Sequence, residues 1–142
     1  MTDEKGKRSR TGGCQCGGVR YEIRREPLAL FVCHCRECRR QSSSAFGISV
    51  IVRRADFSPT RGAVKHWPRT ADSGRTIVCV FCPDCGSRVW DEVPGDEETL
   101  CIKGGSLDQP VDLSAAVHIW TTRKLPGVIV PDGCRQVAQE PE

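Results

Sequence analysis

Long apolar runs, aromatic side chains and methionine are all scarce in this 142-residue chain. No stretch approaches the ~20 consecutive apolar residues that a membrane helix needs, so no membrane span is expected. Aromatics make up 6% of the residues and the only methionine is Met1, which leaves few bulky side chains for a core. A large excess of one charge is also missing: the net charge of +3 is unremarkable for DNA, and nucleic acid is not the expected partner. No segment sustains the 3.6-residue periodicity of a long amphipathic helix. Finally, the hydrophilic start Met1-Thr2-Asp3-Glu4-Lys5-Gly6-Lys7-Arg8 has no apolar run that could serve as a secretory signal. The expected location is therefore cytoplasmic, where thiols stay reduced.

What the chain does have is cysteine, ten in all. Seven of them fall in three clusters: Cys14-Gln15-Cys16, Cys33-His34-Cys35-Arg36-Glu37-Cys38 and Cys82-Pro83-Asp84-Cys85-Gly86. Neighbours such as Cys14 and Cys16 cannot close a disulfide without strain. Metal binding is the better account, with zinc ahead of an iron–sulfur cluster. Seven is an odd number: four thiolates close one tetrahedral site, and three leave a second zinc with an open position. Cys82-Pro83-Asp84-Cys85-Gly86 has the form of a tight metal-binding turn, with proline fixing one backbone angle and Gly86 free to bend around an ion. Cys79 could rival Cys85 as the partner of Cys82, but the glycine after Cys85 favours the Cys82/Cys85 pair. Cys14-Gln15-Cys16-Gly17-Gly18 has similar freedom. Pairing these two segments leaves Cys33, Cys35 and Cys38 together, facing one ion whose fourth position is left to water or a ligand.

The rest of the chain reads as short strands with turns between them. Val19, Tyr21 and Ile23 alternate with Arg20, Glu22 and Arg24, which predicts a half-buried strand. Further strands are expected at 28–32, 46–52, 64–67, 76–81, 88–93, 100–103 and 115–120, with one or two helical turns over 36–41. Pro and Gly punctuate the connections. The prediction is an all-β, single zinc-bearing domain of short antiparallel strands over 12–125. A flexible basic tail is expected over 1–11 and a C-terminal extension over 126–142, its end from Gln136 a polar tail. Zinc would compensate for a modest core, since a structural zinc contributes ~10–16 kcal/mol of apparent binding free energy.

Three thiolates on Zn²⁺ leave a net negative site. Such a metal is a weaker electrophile than one held by neutral imidazoles, and is better suited to holding an incoming thiol as thiolate. The segments Gly13-Cys14-Gln15-Cys16-Gly17-Gly18-Val19-Arg20-Tyr21, Cys33 to Arg40 and Phe81-Cys82-Pro83-Asp84-Cys85-Gly86-Ser87, in this order, resemble the glutathione-dependent formaldehyde-activating enzyme family, also called the centromere protein V family. The resemblance spans roughly Gly13 to Trp120. It implies a β fold similar to that of methionine sulfoxide reductase B and two Zn²⁺ ions. One is structural, on Cys14, Cys16, Cys82 and Cys85. The other is catalytic and open to partial loss, on Cys33, Cys35 and Cys38. The implied reaction joins formaldehyde to glutathione as S-hydroxymethylglutathione, a carbon–sulfur lyase chemistry, with glutathione or another small thiol as partner.

Other candidates read more plainly. His34 alternates with Cys33 and Cys35, so in an extended segment its ring points away from their sulfurs. Arg36, Arg39 and Arg40 could attract glutathione carboxylates, or simply form a solvated helix face. Cys101 and Cys134 read as small fillers or surface thiols. His66 and His118 read as packed or solvent-facing, and Asp72-Ser73-Gly74-Arg75 as a turn beside the cleft. The alternative to an enzyme is a non-catalytic zinc module that binds protein or nucleic acid through the basic tail. Such a module has no need of an incomplete metal site.

Overall fold

The computed structural model describes residues 9–140. Among these residues, ten strands form two sheets and one α-helix accompanies them. The smaller sheet has the order β1-β2-β5, from β1 (Arg10–Gly13), β2 (Arg20–Ile23) and β5 (Phe57–Arg61). The larger has the order β10-β3-β4-β9-β8-β7-β6. Its strands are β3 (Ala29–Cys33), β4 (Gly47–Arg53), β6 (Lys65–Thr70), β7 (Thr76–Phe81), β8 (Arg88–Glu92), β9 (Thr99–Lys103) and β10 (Val117–Ile119). Neighbouring strands run antiparallel except for β10, which lies parallel to β3. The helix α1 (Arg36–Ser42) follows β3 directly. Among the described residues, no helix is long and apolar enough to cross a membrane.

The two-residue period of the strands divides the large sheet into two chemically different faces. Val50 and Val52 of β4, Leu100 and Ile102 of β9, Trp90 of β8 and Val80 of β7 turn to one face. There they meet Tyr21 and Ile23 of the small sheet and Val19 just before β2. Aromatic rings anchor this contact: Trp90 meets Phe57 at 4.8 Å between centroids and Tyr21 at 6.2 Å, both edge-on. The Tyr21 hydroxyl is satisfied by Ser106 Oγ at 2.6 Å, so its ring can be buried without stranding a polar group. The alternate residues, Cys33, Ser49, Cys101, Lys103, Asp91 and Cys79, face the other way.

The structure departs from the sequence expectation at three places. Arg10 and Thr11, assigned to the flexible tail, stand in β1, paired with Ile23 and Glu22; residues 1–8 of that tail lie outside the described residues. The β5 strand was not expected, because Ser58, Pro59 and Thr60 show no apolar alternation; it is an edge strand, where proline is tolerated. The stretch after Gln136 was read as a polar tail, yet it follows the outer edge of β10. Val137 N–H donates to His118 O at 2.8 Å, and Trp120 N–H donates to Gln139 O at 3.2 Å. These bonds are made by the backbone, so side-chain polarity gave no sign of them.

Trp90 is 4% exposed at the junction of the sheets, whereas Trp67 on β6 is 48% exposed and stacked only by Arg88. We expect Trp90→Ala to lower unfolding free energy by about 3–5 kcal/mol, read from the denaturant midpoint. Trp67→Ala is expected to cost under about 1 kcal/mol.

Candidate metal centres

The first centre joins the two sheets. Cys14 and Cys16 sit in the turn between β1 and β2, and Cys82 and Cys85 in the turn between β7 and β8. Their four Sγ atoms all lie within 4.8 Å of one another. Cys14 and Cys16 sulfurs are 3.5 Å apart, and Cys16 approaches Cys82 at 3.8 Å. Backbone amides point into the group. Val19 N–H donates to Cys14 Sγ at 3.2 Å, while Asp84 and Cys85 N–H groups donate to Cys82 Sγ at 3.4 and 3.5 Å. Gly86 takes φ of 80°, a left-handed conformation that closes the turn through its N–H to Cys82 O at 2.9 Å. Ser87 lies beside Cys85, and its hydroxyl and amide draw the Cys85 thiol down to about 5. It also ties the two turns together, accepting from Gln15 N–H at 2.9 Å.

The second centre lies where β3 runs into α1. Cys33, Cys35 and Cys38 bring three Sγ atoms within 4.8 Å of one another. Cys35 is the N-cap of α1, its sulfur accepting from Cys38 N–H at 3.3 Å. A cap residue and the third helical residue share one end of the first turn, which puts both sulfurs next to the strand end carrying Cys33. Close approach of α1 to β4 favours Gly47, because a Cβ there would stand 3.0 Å from Cys38 Cβ and push α1 outward by a few tenths of an ångström. The sulfurs share charge unevenly: hydrogen bonds from Cys33 and Cys38 hold the Cys35 thiol down to about 2, and the bond to Cys35 drives Cys33 upward. Among the described residues no histidine or carboxylate joins the three as a fourth donor.

These donor sets fit a thiophilic metal such as zinc: sulfur only, convergent, and supported by N–H···S bonds that favour the thiolate form. Cys79 belongs to neither group, since it projects from the opposite face of β7 to Val80 and is fully buried. Cys134 donates to Ser114 O at 3.2 Å, away from both groups. His34 turns from the sulfurs towards His118, with ring nitrogens 2.9 Å apart, and Phe46 lies at its edge. Burial lowers the pKa of both histidines.

A cavity of about 360 Å³ opens beside the three cysteines on the second face of the large sheet. Phe31, Ile51 and Ile119 supply part of its wall, and Arg69, Arg75 and Lys103 supply its cations. A larger hollow of about 820 Å³ runs past Cys14 and Cys85, with Ser42, Ser43 and Ser44 on its edge. Of these two, the smaller one is lined by Cys33, Cys35 and Cys38. Arg36, Arg39 and Arg40 surround a separate surface hollow with Ser43 and Ser44. Arg75 belongs to the turn that the sequence sets beside the cleft. Arg69, at the end of β6, and Lys103, hidden in the alternation of β9, carry no such local signal.

Comparison with known proteins gives a family and a similar fold. The sequence model of the family described as glutathione-dependent formaldehyde-activating enzyme matches residues 9–123. A crystal structure of a Rhodobacter sphaeroides protein is similar in fold, with a TM-score of 0.57 and 24% identity. The match covers 76% of this chain and 98% of that one.

The geometry predicts different outcomes for the two centres. Cys14→Ser should lose the fold, removing near-UV circular dichroism and all bound zinc, because it breaks the contact between sheets. Cys35→Ser should keep the fold and lose one zinc equivalent in elemental analysis. Equal damage from both changes would contradict the division.

Proposed function

The chain belongs to the glutathione-dependent formaldehyde-activating enzyme family, and on that footing we propose that it joins formaldehyde to the thiol of glutathione, making or breaking one carbon–sulfur bond at Cys33, Cys35 and Cys38. The observation that carries this reading is the incomplete sulfur set: three convergent cysteines, without a fourth protein donor among the described residues, on the wall of a small-ligand-sized cavity. A metal that only held the fold together would be better served by four donors, as Cys14, Cys16, Cys82 and Cys85 offer.

Zinc on Cys33, Cys35 and Cys38 would supply a Lewis-acidic position at which a thiol ionises near neutral pH. The remaining work falls to the chain. The N–H of Cys38 and the cap position of Cys35 fix the sulfur geometry before any ligand arrives. Phe31, Ile51 and Ile119 keep part of the cavity dry, which limits competition from water for the aldehyde. Arg69 and Arg75 are placed to take the carboxylates of a tripeptide thiol, while Asp96 and Glu140 on the same cavity suit its ammonium group. Glutathione carries two carboxylates and one amine, and this mixed lining matches that pattern better than a purely cationic one would.

Exchange-type NMR on formaldehyde and glutathione reads the rate of S-hydroxymethylglutathione formation directly. The zinc-loaded protein is expected to raise that rate above the uncatalysed value, and Cys35→Ser to return it to that value. A zinc-loaded protein that neither binds glutathione nor changes the exchange rate would contradict the reading.

A further inference from the structure

Lys103 is an unusual residue for the middle of a sheet. Its side chain is 10% exposed, and its Nζ meets Asp91 Oδ2 at 3.4 Å, a long contact for an ion pair. An ammonium group has three donors, so this single long bond leaves capacity unused in a place where buried charges are normally well satisfied. Asp91 is in the same condition: its side chain is 12% exposed, and its Oδ1 is buried without a hydrogen-bond partner. Two half-used, oppositely charged groups therefore lie side by side. Both line the cavity that holds Cys33, Cys35 and Cys38.

Register explains how they come to be there. Across the sheet, Phe31 stands opposite Ser49, and Ser49 opposite Lys103. Cys33 stands opposite Gly47 in the adjoining row, on the same face. Asp91 pairs with Cys101, two residues before Lys103 and again on that face. Lys103 thus starts two strands across and two residues along from Cys33, about 12 Å at the usual spacing and rise, and β4 places only Gly47 and Ser49 between them. Burial disfavours its charge, yet Cys101, Asp91 and Cys38 together raise its pKa above the ordinary lysine value. It is a standing cation rather than an amine nucleophile.

The geometry points to Lys103 and Asp91 as the groups that hold the oxygen of the aldehyde and of its thiol adduct, Lys103 Nζ donating to it and the Asp91 carboxylate accepting from its hydroxyl. This inference rests on the function proposed above. In the forward direction the thiolate sulfur bonds to the carbonyl carbon and the carbonyl π pair moves onto oxygen. Lys103, its own side chain mostly buried, stabilises that developing charge. The proton lost by the thiol ends on this oxygen, and the resulting hydroxyl donates to the Asp91 carboxylate. The reverse direction breaks the same carbon–sulfur bond and returns the proton, so neither oxidant nor reductant is required. A purely structural ion pair would need neither unused valence nor a position on this cavity.

Two stable thioethers that differ by one hydroxyl group test this: S-(2-hydroxyethyl)glutathione and S-ethylglutathione, titrated calorimetrically into the zinc-loaded protein. The parent should bind the hydroxyethyl compound about tenfold more tightly. The paired change Lys103→Gln with Asp91→Asn keeps the shape and removes both charges. It should bind the two compounds equally, at the parent's affinity for the ethyl compound, with zinc content unchanged. Should the paired variant fail to fold, Asp91→Asn alone is expected to reduce the preference. Equal binding of both thioethers by the parent overturns the inference while leaving the proposed function standing. A preference that survives the charge removal does the same. Failure to bind either thioether overturns the thiol reading and this inference with it.

Discussion

Four cysteine sulfurs within 4.8 Å of one another cannot all carry charge unless a cation lies among them, and the two turns that bring them together come from different sheets. The contact between Cys14/Cys16 and Cys82/Cys85 therefore ties the register of the small sheet to that of the large one. Where the turns meet, Trp90, Phe57 and Tyr21 can interlock, and the valines of β4 and β7 find a partner surface. A chain with 6% aromatic residues has little hydrophobic surplus with which to replace such a tether.

Once one face of the large sheet is committed to the core, the two-residue period of its strands commits the other face to something else. Residues between the core positions form the floor of the cavity: Ser49 between Ile48 and Val50, Cys101 between Leu100 and Ile102, Asp91 next to Trp90. The second group of sulfurs stands at the edge of that floor, because β3 ends at Cys33 and α1 begins immediately after its cap at Cys35. Stability and the proposed chemistry thus share one sheet but use opposite faces. A change at Trp90 and a change at Lys103 address different properties of the molecule.

Much of this was legible in the sequence, since it was written in short-range patterns. The alternation around Tyr21, the cysteine spacings and the Pro83–Gly86 turn each have a local physical cause, and the strands and the two sulfur groups follow from them. What escaped notice was non-local. β1 and β5 are recognisable only through their pairing with β2, and the segment after Gln136 is held by the backbone of β10. Lys103 and Asp91 share a cavity wall with cysteines roughly fifty to seventy residues earlier only because β3, β4, β9 and β8 lie side by side in register. No spacing rule in one dimension carries that information. The arginines at 36, 39 and 40 illustrate the reverse case, being next to the cysteines in sequence and on a different surface in space.

The central claim is that one sulfur set is complete and the other is open to a thiol. Zinc K-edge X-ray absorption on the doubly loaded protein tests it most directly. The account predicts an average first shell intermediate between all-sulfur and one oxygen or nitrogen per metal, shifting to all-sulfur when glutathione is added. A shell that is already all-sulfur without thiol, or one that glutathione leaves unchanged, would contradict it.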